Sequence, residues 1–107
     1  MKLQFDNYED GWGAELLCPS CGFNYLHHGR VEIFDRSEDA SSDVHVVVDE
    51  GKAIVDTSLD GNPSSRRHGL AVHFWCEGCK ATPVLTIAQH KGNTVVDINH
   101  TGEPADA

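Results

Sequence analysis

The segment Leu70-Ala71-Val72-His73-Phe74-Trp75-Cys76-Glu77-Gly78-Cys79 sets large apolar side chains (Leu70, Val72, Phe74) against Ala71, His73 and Trp75. Alternation of this kind is the period of a β-strand. The strand runs straight into two thiols two residues apart. A second such pair lies in Cys18-Pro19-Ser20-Cys21-Gly22, and the two pairs use every cysteine of the 107-residue chain. A Cys-x-x-Cys turn can aim both sulfurs at one point, and two such turns supply the four ligands of a tetrahedral zinc ion. Cys18, Cys21, Cys76 and Cys79 are therefore the expected ligands of one Zn2+. Four thiolates leave no open coordination position, so the ion is expected to be structural and not catalytic. A redox dithiol would instead set a single pair at a helix start, where the dipole lowers a thiol pKa. Bound iron and disulfides are the rival readings.

Working outward, Thr82 to Gln89 reads as the antiparallel partner of Leu70–Cys76, with His73 opposite Thr86 or Ile87 and His90 near Gly69. A last strand, Thr94 to Ile98, follows Gly92-Asn93. Val44 to Thr57 reads as a β-hairpin around Glu50-Gly51. In that register Asp49 faces Lys52, Val48 faces Ala53, Val46 faces Val55 and His45 faces Asp56. Val44, Val46, Val48, Ala53 and Val55 then share one face, and burial of such a face fixes pairing strongly. Glu fits poorly where φ must be positive, and a three-residue turn with a bulge at Gly51 is the competing register. Arg30 to Asp35 alternates as a strand, whereas Phe23 to Arg30 is ambiguous. Ala14 to Cys18 is a short strand delivering the first thiol pair. Residues 1–13 are a turn-rich entry whose Phe5, Tyr8 and Trp12 could tuck onto the core. Ser37 to Ser42 is a polar loop expected to be mobile. No stretch holds a helical period with caps. The fold class expected is mostly β: a small antiparallel sheet built on two Cys-x-x-Cys knuckles, with a β-hairpin insertion. Residues 1–100 form its single domain and 101–107 a disordered tail.

This order of strand, knuckle and strand resembles the zinc-ribbon, or rubredoxin-like, family at Cys18, Cys21, Cys76 and Cys79, with Pro19 and Gly22 matching the first knuckle. It is similar to small bacterial or phage-type zinc-ribbon proteins, a likeness that carries no activity. The resemblance covers about a third of the chain. The 54 residues between Cys21 and Cys76 are long for a minimal ribbon, so the acidic hairpin is an insertion or part of a larger sheet. Many ribbons bind nucleic acid, which makes that the alternative function the resemblance implies.

Composition limits the partners. The net charge is −9, of which −7 falls in residues 31–62. Such a field repels phosphate backbones. No apolar run approaches the ~20 residues of a membrane span, and the first residues lack signal-peptide order. A cytoplasmic location is expected, where reduced thiols favour metal over disulfides. A protein partner is expected to meet the acidic hairpin region (Asp43, Asp49, Glu50, Asp56, Asp60) or an edge strand. Arg66, Arg67, Lys80 and Lys91 would serve nucleic acid. Seven histidines invite a metalloenzyme reading, with a second site from His28, His68 and His90. His90, Asn93 and His100 match the residue types of His-Asn-His nucleases but lack their helix. The reading favoured is a non-enzymatic protein-interaction module.

Overall fold

A computed structural model describes residues 2–100; the expected tail at 101–107 lies outside the described residues. Eight strands follow in order: β1 (Phe5–Glu9), β2 (Gly13–Leu16), β3 (Leu26–Asp35), β4 (Val44–Asp49), β5 (Lys52–Asp56), β6 (Gly69–Cys76), β7 (Pro83–His90) and β8 (Asn93–His100). No helix occurs among the described residues. β1 and β2 form a separate two-stranded sheet, and the other six form one sheet in the order β5-β4-β3-β6-β7-β8. Every pairing is antiparallel. The expected all-β class holds.

Tight turns set much of the register. Glu50 and Gly51 both take positive φ (49° and 78°), as a two-residue hairpin loop of the favoured type requires. The β4–β5 pairs are then those expected: His45 with Asp56, Val46 with Val55, Val48 with Ala53 and Asp49 with Lys52. Lys91 and Gly92 repeat the device between β7 and β8. The β6–β7 register differs from the expected one. His73 lies opposite Val84 and Gly69 opposite Ala88, because the knuckle closes by donation from the Cys76 N–H to the Ala81 carbonyl. The hairpin axis therefore falls earlier than a turn centred beyond Cys79 would give.

With these registers, two unbroken apolar rows cross all six strands on one face. One is Val55, Val46, Ile33, Leu70, Ile87 and Val96; the next is Ala53, Val48, Val31, Val72, Leu85 and Ile98. The opposite face is mixed. Phe34, Ala71 and Val84 are buried there beside polar side chains. The connection 57–68 folds onto Phe34, where a Cβ on Gly61 would sit 3.9 Å from Cζ. Ser64, buried in that connection, donates to the Gln89 carbonyl (2.8 Å) and accepts from the Arg67 N–H (2.9 Å).

One other expectation is corrected. The entry segment is the β1–β2 hairpin, and its Phe5, Tyr8 and Trp12 stand out from the core, Trp12 at 76% exposure. Of the ambiguous stretch, which could be a loop or an irregular strand, Leu26–Arg30 joins β3 as an irregular strand with a register shift between His28 and Val31. The Ser37–Ser42 loop carries polar contacts to the rest of the chain. Arg36 donates to the carbonyls of Ala40 and Ser65, and Arg66 pairs with Glu38 and Asp39.

A polar chain crosses the mixed face. Asp56 meets His45 Nδ1 at 2.8 Å, His45 Nε2 meets Glu32 at 3.0 Å, and the other Glu32 oxygen meets His73 Nε2 at 3.1 Å. His45 is only 7% exposed and its ring stacks on Phe34, with centroids 4.4 Å apart. Burial opposes its protonation, but the two carboxylates outweigh burial and raise its pKa. Burial likewise opposes the Glu32 charge, and donation from His45 and His73 overcomes it and lowers that pKa. The raised histidine contributes stability that is complete below its unfolded value of ~6.5 and is lost as pH climbs through the folded value. Glu32 contributes above the unfolded carboxylate range, and that part is lost as pH falls through its lowered value. His45→Gln should therefore cost on the order of 1–2 kcal/mol at pH 5.5 and clearly less at pH 8.5. Paired urea titrations of wild type and variant at each pH, with zinc present, check this. An equal cost at both values would contradict it.

Candidate metal centre

The first thiol pair follows β2, and the second spans the end of β6 and the turn into β7. Their backbones repeat one pattern. The Cys18 N–H donates to the Phe23 carbonyl (2.9 Å) and the Gly22 N–H to the Cys18 carbonyl (2.8 Å). At the second turn the Cys76 N–H donates to Ala81 (3.0 Å) and the Lys80 N–H to Cys76 (3.2 Å). The residue after each second cysteine takes positive φ, 77° at Gly22 and 65° at Lys80. Glycine meets that demand without strain, whereas Lys80 accepts a conformation that costs an L-residue roughly 1–2 kcal/mol.

The central pairing of Leu26 with Cys76 carries one turn to the other. Cys18 and Cys79 bring their sulfurs to 3.7 Å, Cys21 and Cys76 to 3.6 Å, and all four lie within 4.8 Å of one another. A tetrahedral ion with metal–sulfur bonds of ~2.3 Å has ligand edges of about 3.8 Å, so the spacing fits a four-thiolate site. Cys18 and Cys76 are fully buried, while Cys21 and Cys79 are exposed.

The electrostatics point the same way. Burial raises the Cys18 pKa. At Cys21 a backbone N–H from Phe23 favours the thiolate, but burial and the neighbouring thiols push it up to about 12. Burial opposes ionisation of Cys76, yet the N–H groups of Cys79 and Gly78 and the thiols of Cys21 and Cys18 bring it down to about 7. Sulfurs this close titrate as a set and share their charge. A divalent cation would let all four ionise together. The Gly78 N–H donates to the Cys76 sulfur at 3.3 Å, which orients the ligand atom.

The surround is aromatic. The Phe23 ring lies over Gly78, where a Cβ would come within 3.0 Å of it, and packs edge-on against Tyr25 at 5.4 Å. His27 stacks on Trp75 at 4.4 Å and pairs with Glu77. The packing of these neighbours on one another was not legible in the sequence, because nothing local shows that β3 and β6 lie side by side.

The histidines proposed for a second metal are not assembled. His28 packs edge-on against Phe74, His68 accepts from the Arg36 N–H, and His90 faces Asn93 across the β7–β8 turn. Among the described residues, the four cysteines are the one group with three or more ligand atoms close enough to share an ion. The basic residues do not gather either. Arg66 pairs with Glu38 and Asp39, Arg67 pairs with Glu38, and Lys80 and Lys91 lie beyond opposite ends of β7. Asp43, counted with the acidic surface on sequence, is buried at 7% exposure.

No protein-family model, curated protein or solved structure matches the chain. The reading of the centre therefore rests on its own geometry.

Proposed function

We propose that this chain is a non-enzymatic β domain, stabilised by one structural zinc, that works by binding another protein. The observation that carries the reading is the thiol set: four sulfurs on two hydrogen-bonded turns lie within 4.8 Å of one another, a spacing that suits a closed tetrahedral site. Such a site keeps no position for water or substrate. Zinc is the ion favoured by a tetrahedral all-thiolate set, and the zinc-ribbon likeness of the two knuckles supports the same choice.

The partner surface we favour is the β4–β5 hairpin. β5 is an edge of the large sheet, so its outer backbone groups are free to pair with an added strand. The same hairpin carries Asp49 and Glu50 at its tip, with Asp56 at the far end of β5. Acidic charge and an open edge thus coincide in one element, which suits an extended basic segment of a partner protein. Nucleic acid is the weaker alternative, since Arg66 and Arg67 are already paired with carboxylates and Lys80 and Lys91 form no patch.

Metal analysis of purified chain should give one zinc per molecule. Immobilised zinc-loaded chain should capture a protein from extract, and the variant Asp49→Lys/Glu50→Lys, changed only at the exposed hairpin tip, should lose it. Gel shifts at two salt concentrations should show no complex with DNA or RNA. A complex that weakens steeply with salt would transfer the function to phosphate binding.

A further inference from the structure

Of the twelve side chains in the two apolar rows of the large sheet, five are exposed, six are half-buried and one is buried. Val55 is 65% exposed at one end, and Ile33, in the middle of its row, is 43% exposed. Only the corner at Ile98 is buried. A sheet with an apolar face needs a second layer against it. Among the described residues the buried hydrophobic side chains are Cys18, Phe34, Ala71, Cys76, Val84 and Ile98, too few to make a core for this face. Residues 101–107 cannot supply one, since Thr-Gly-Glu-Pro-Ala-Asp-Ala contains no large apolar side chain.

We propose that a second copy of this chain supplies the missing layer, the two six-stranded sheets packing row against row about a two-fold axis as a β-sandwich. The area is right. Each strand residue covers about 3.4 Å by 4.8 Å, so the whole face of the six strands spans roughly 700 Å2, of which the two rows fill about half, against ~800 Å2 per partner in a standard stable interface. The composition is right as well. The rows hold Val, Ile, Leu and Ala with no aromatic and no arginine, which resembles a domain core cut in half rather than a transient contact. Neither row contains a charged residue, although the chain carries −9. A self-contact there brings no like charges into the buried centre, while charge elsewhere on each copy repels. Association should therefore tighten as salt rises. Ile33, Leu70 and Ile87 line a shallow concavity rimmed by Asp35, His68 and Gln89, which gives the facing sheet a place to seat its side chains. The contact leaves the β5 edge free, so it stands independently of the partner binding proposed above.

Sedimentation of the zinc-loaded full chain should return twice the 11.7 kDa of one molecule, and its melting temperature should rise with protein concentration. The variant Ile33→Glu/Ile87→Glu should fall to the one-chain mass or lose its fold, whereas Ile54→Glu on the opposite face should remain dimeric. Mixing copies with different isotope labels gives a readout free of mutation: methyl groups of Val46, Leu70 and Val72 should show contacts between copies. The proposal fails if the chain sediments as a folded monomer up to millimolar concentration. It also fails if labelled copies touch only through the β5 or β8 edges, or if these rows are covered by a different protein.

Discussion

Replacing Cys76 with serine should abolish the cooperative unfolding transition, and chelation of the wild-type metal should do the same. Cys76 is fully buried, ends β6 opposite Leu26, and holds its sulfur 3.6 Å from Cys21 with the Gly78 N–H aimed at it. Zinc binding to such sites is worth ~10–16 kcal/mol in peptides. A domain's whole stability is ~5–15 kcal/mol. Loss of the ion therefore exceeds what the remaining contacts can hold, all the more in a chain with so few buried apolar side chains. Cys21→Ser removes an exposed ligand and should weaken metal retention with less damage to packing. Thermal melts followed by circular dichroism, with and without chelator, check both. A Cys76→Ser protein with an unchanged melting curve would overturn the metal-centred account.

Phe34→Ala should be the costliest change away from the thiols, at about 3–5 kcal/mol. Phe34 is 1% exposed, its ring stacks on His45, and the connection at Gly61 closes over it. Truncation removes a large buried ring and leaves a cavity that the hydrogen-bonded 57–68 connection is too constrained to fill. It also strips the apolar support from His45, which holds Asp56 and Glu32 together across three strands. Ile54→Ala, at an exposed position on the edge strand, should cost less than about 0.5 kcal/mol. Urea midpoints at saturating zinc separate the two, and equal costs would mean that Phe34 does not anchor this face.

Much of this architecture was legible in the residues because it is local. The alternation from Leu70 to Phe74 marked β6, and the one-sided apolar pattern of Val44, Val46 and Val48 selected the register around Glu50-Gly51 even though glutamate resists positive φ. Two Cys-x-x-Cys pairs marked the thiol cluster, since each turn is a closed chemical unit. What was missed depends on partners far apart in sequence. Glu32 looked like one polar member of an alternating strand, and only the order β4-β3-β6 sets it between His45 and His73. His73 itself was placed two or three residues out of register, because the bond from Cys76 N–H to Ala81 shifts the hairpin axis. The strand at Ala14 was legible, but β1 and its pairing with β2 were not, because the turn residues of the entry outweighed a weak strand pattern. The full apolar rows were invisible for the same reason: each strand showed its share, but none showed that all six would line up.

The large sheet is in effect two three-stranded meanders, β3-β4-β5 and β6-β7-β8, joined along the β3–β6 seam. Within each meander neighbouring strands are also consecutive in sequence, and each meander adjoins one thiol pair, the first ahead of β3 and the second at the turn from β6 to β7. The ion would thus sit at the mouth of the one long-range seam, where chain closure is entropically most expensive. Assembly of the molecule then resembles riveting two leaves along one seam, so metal supply would govern whether the leaves join.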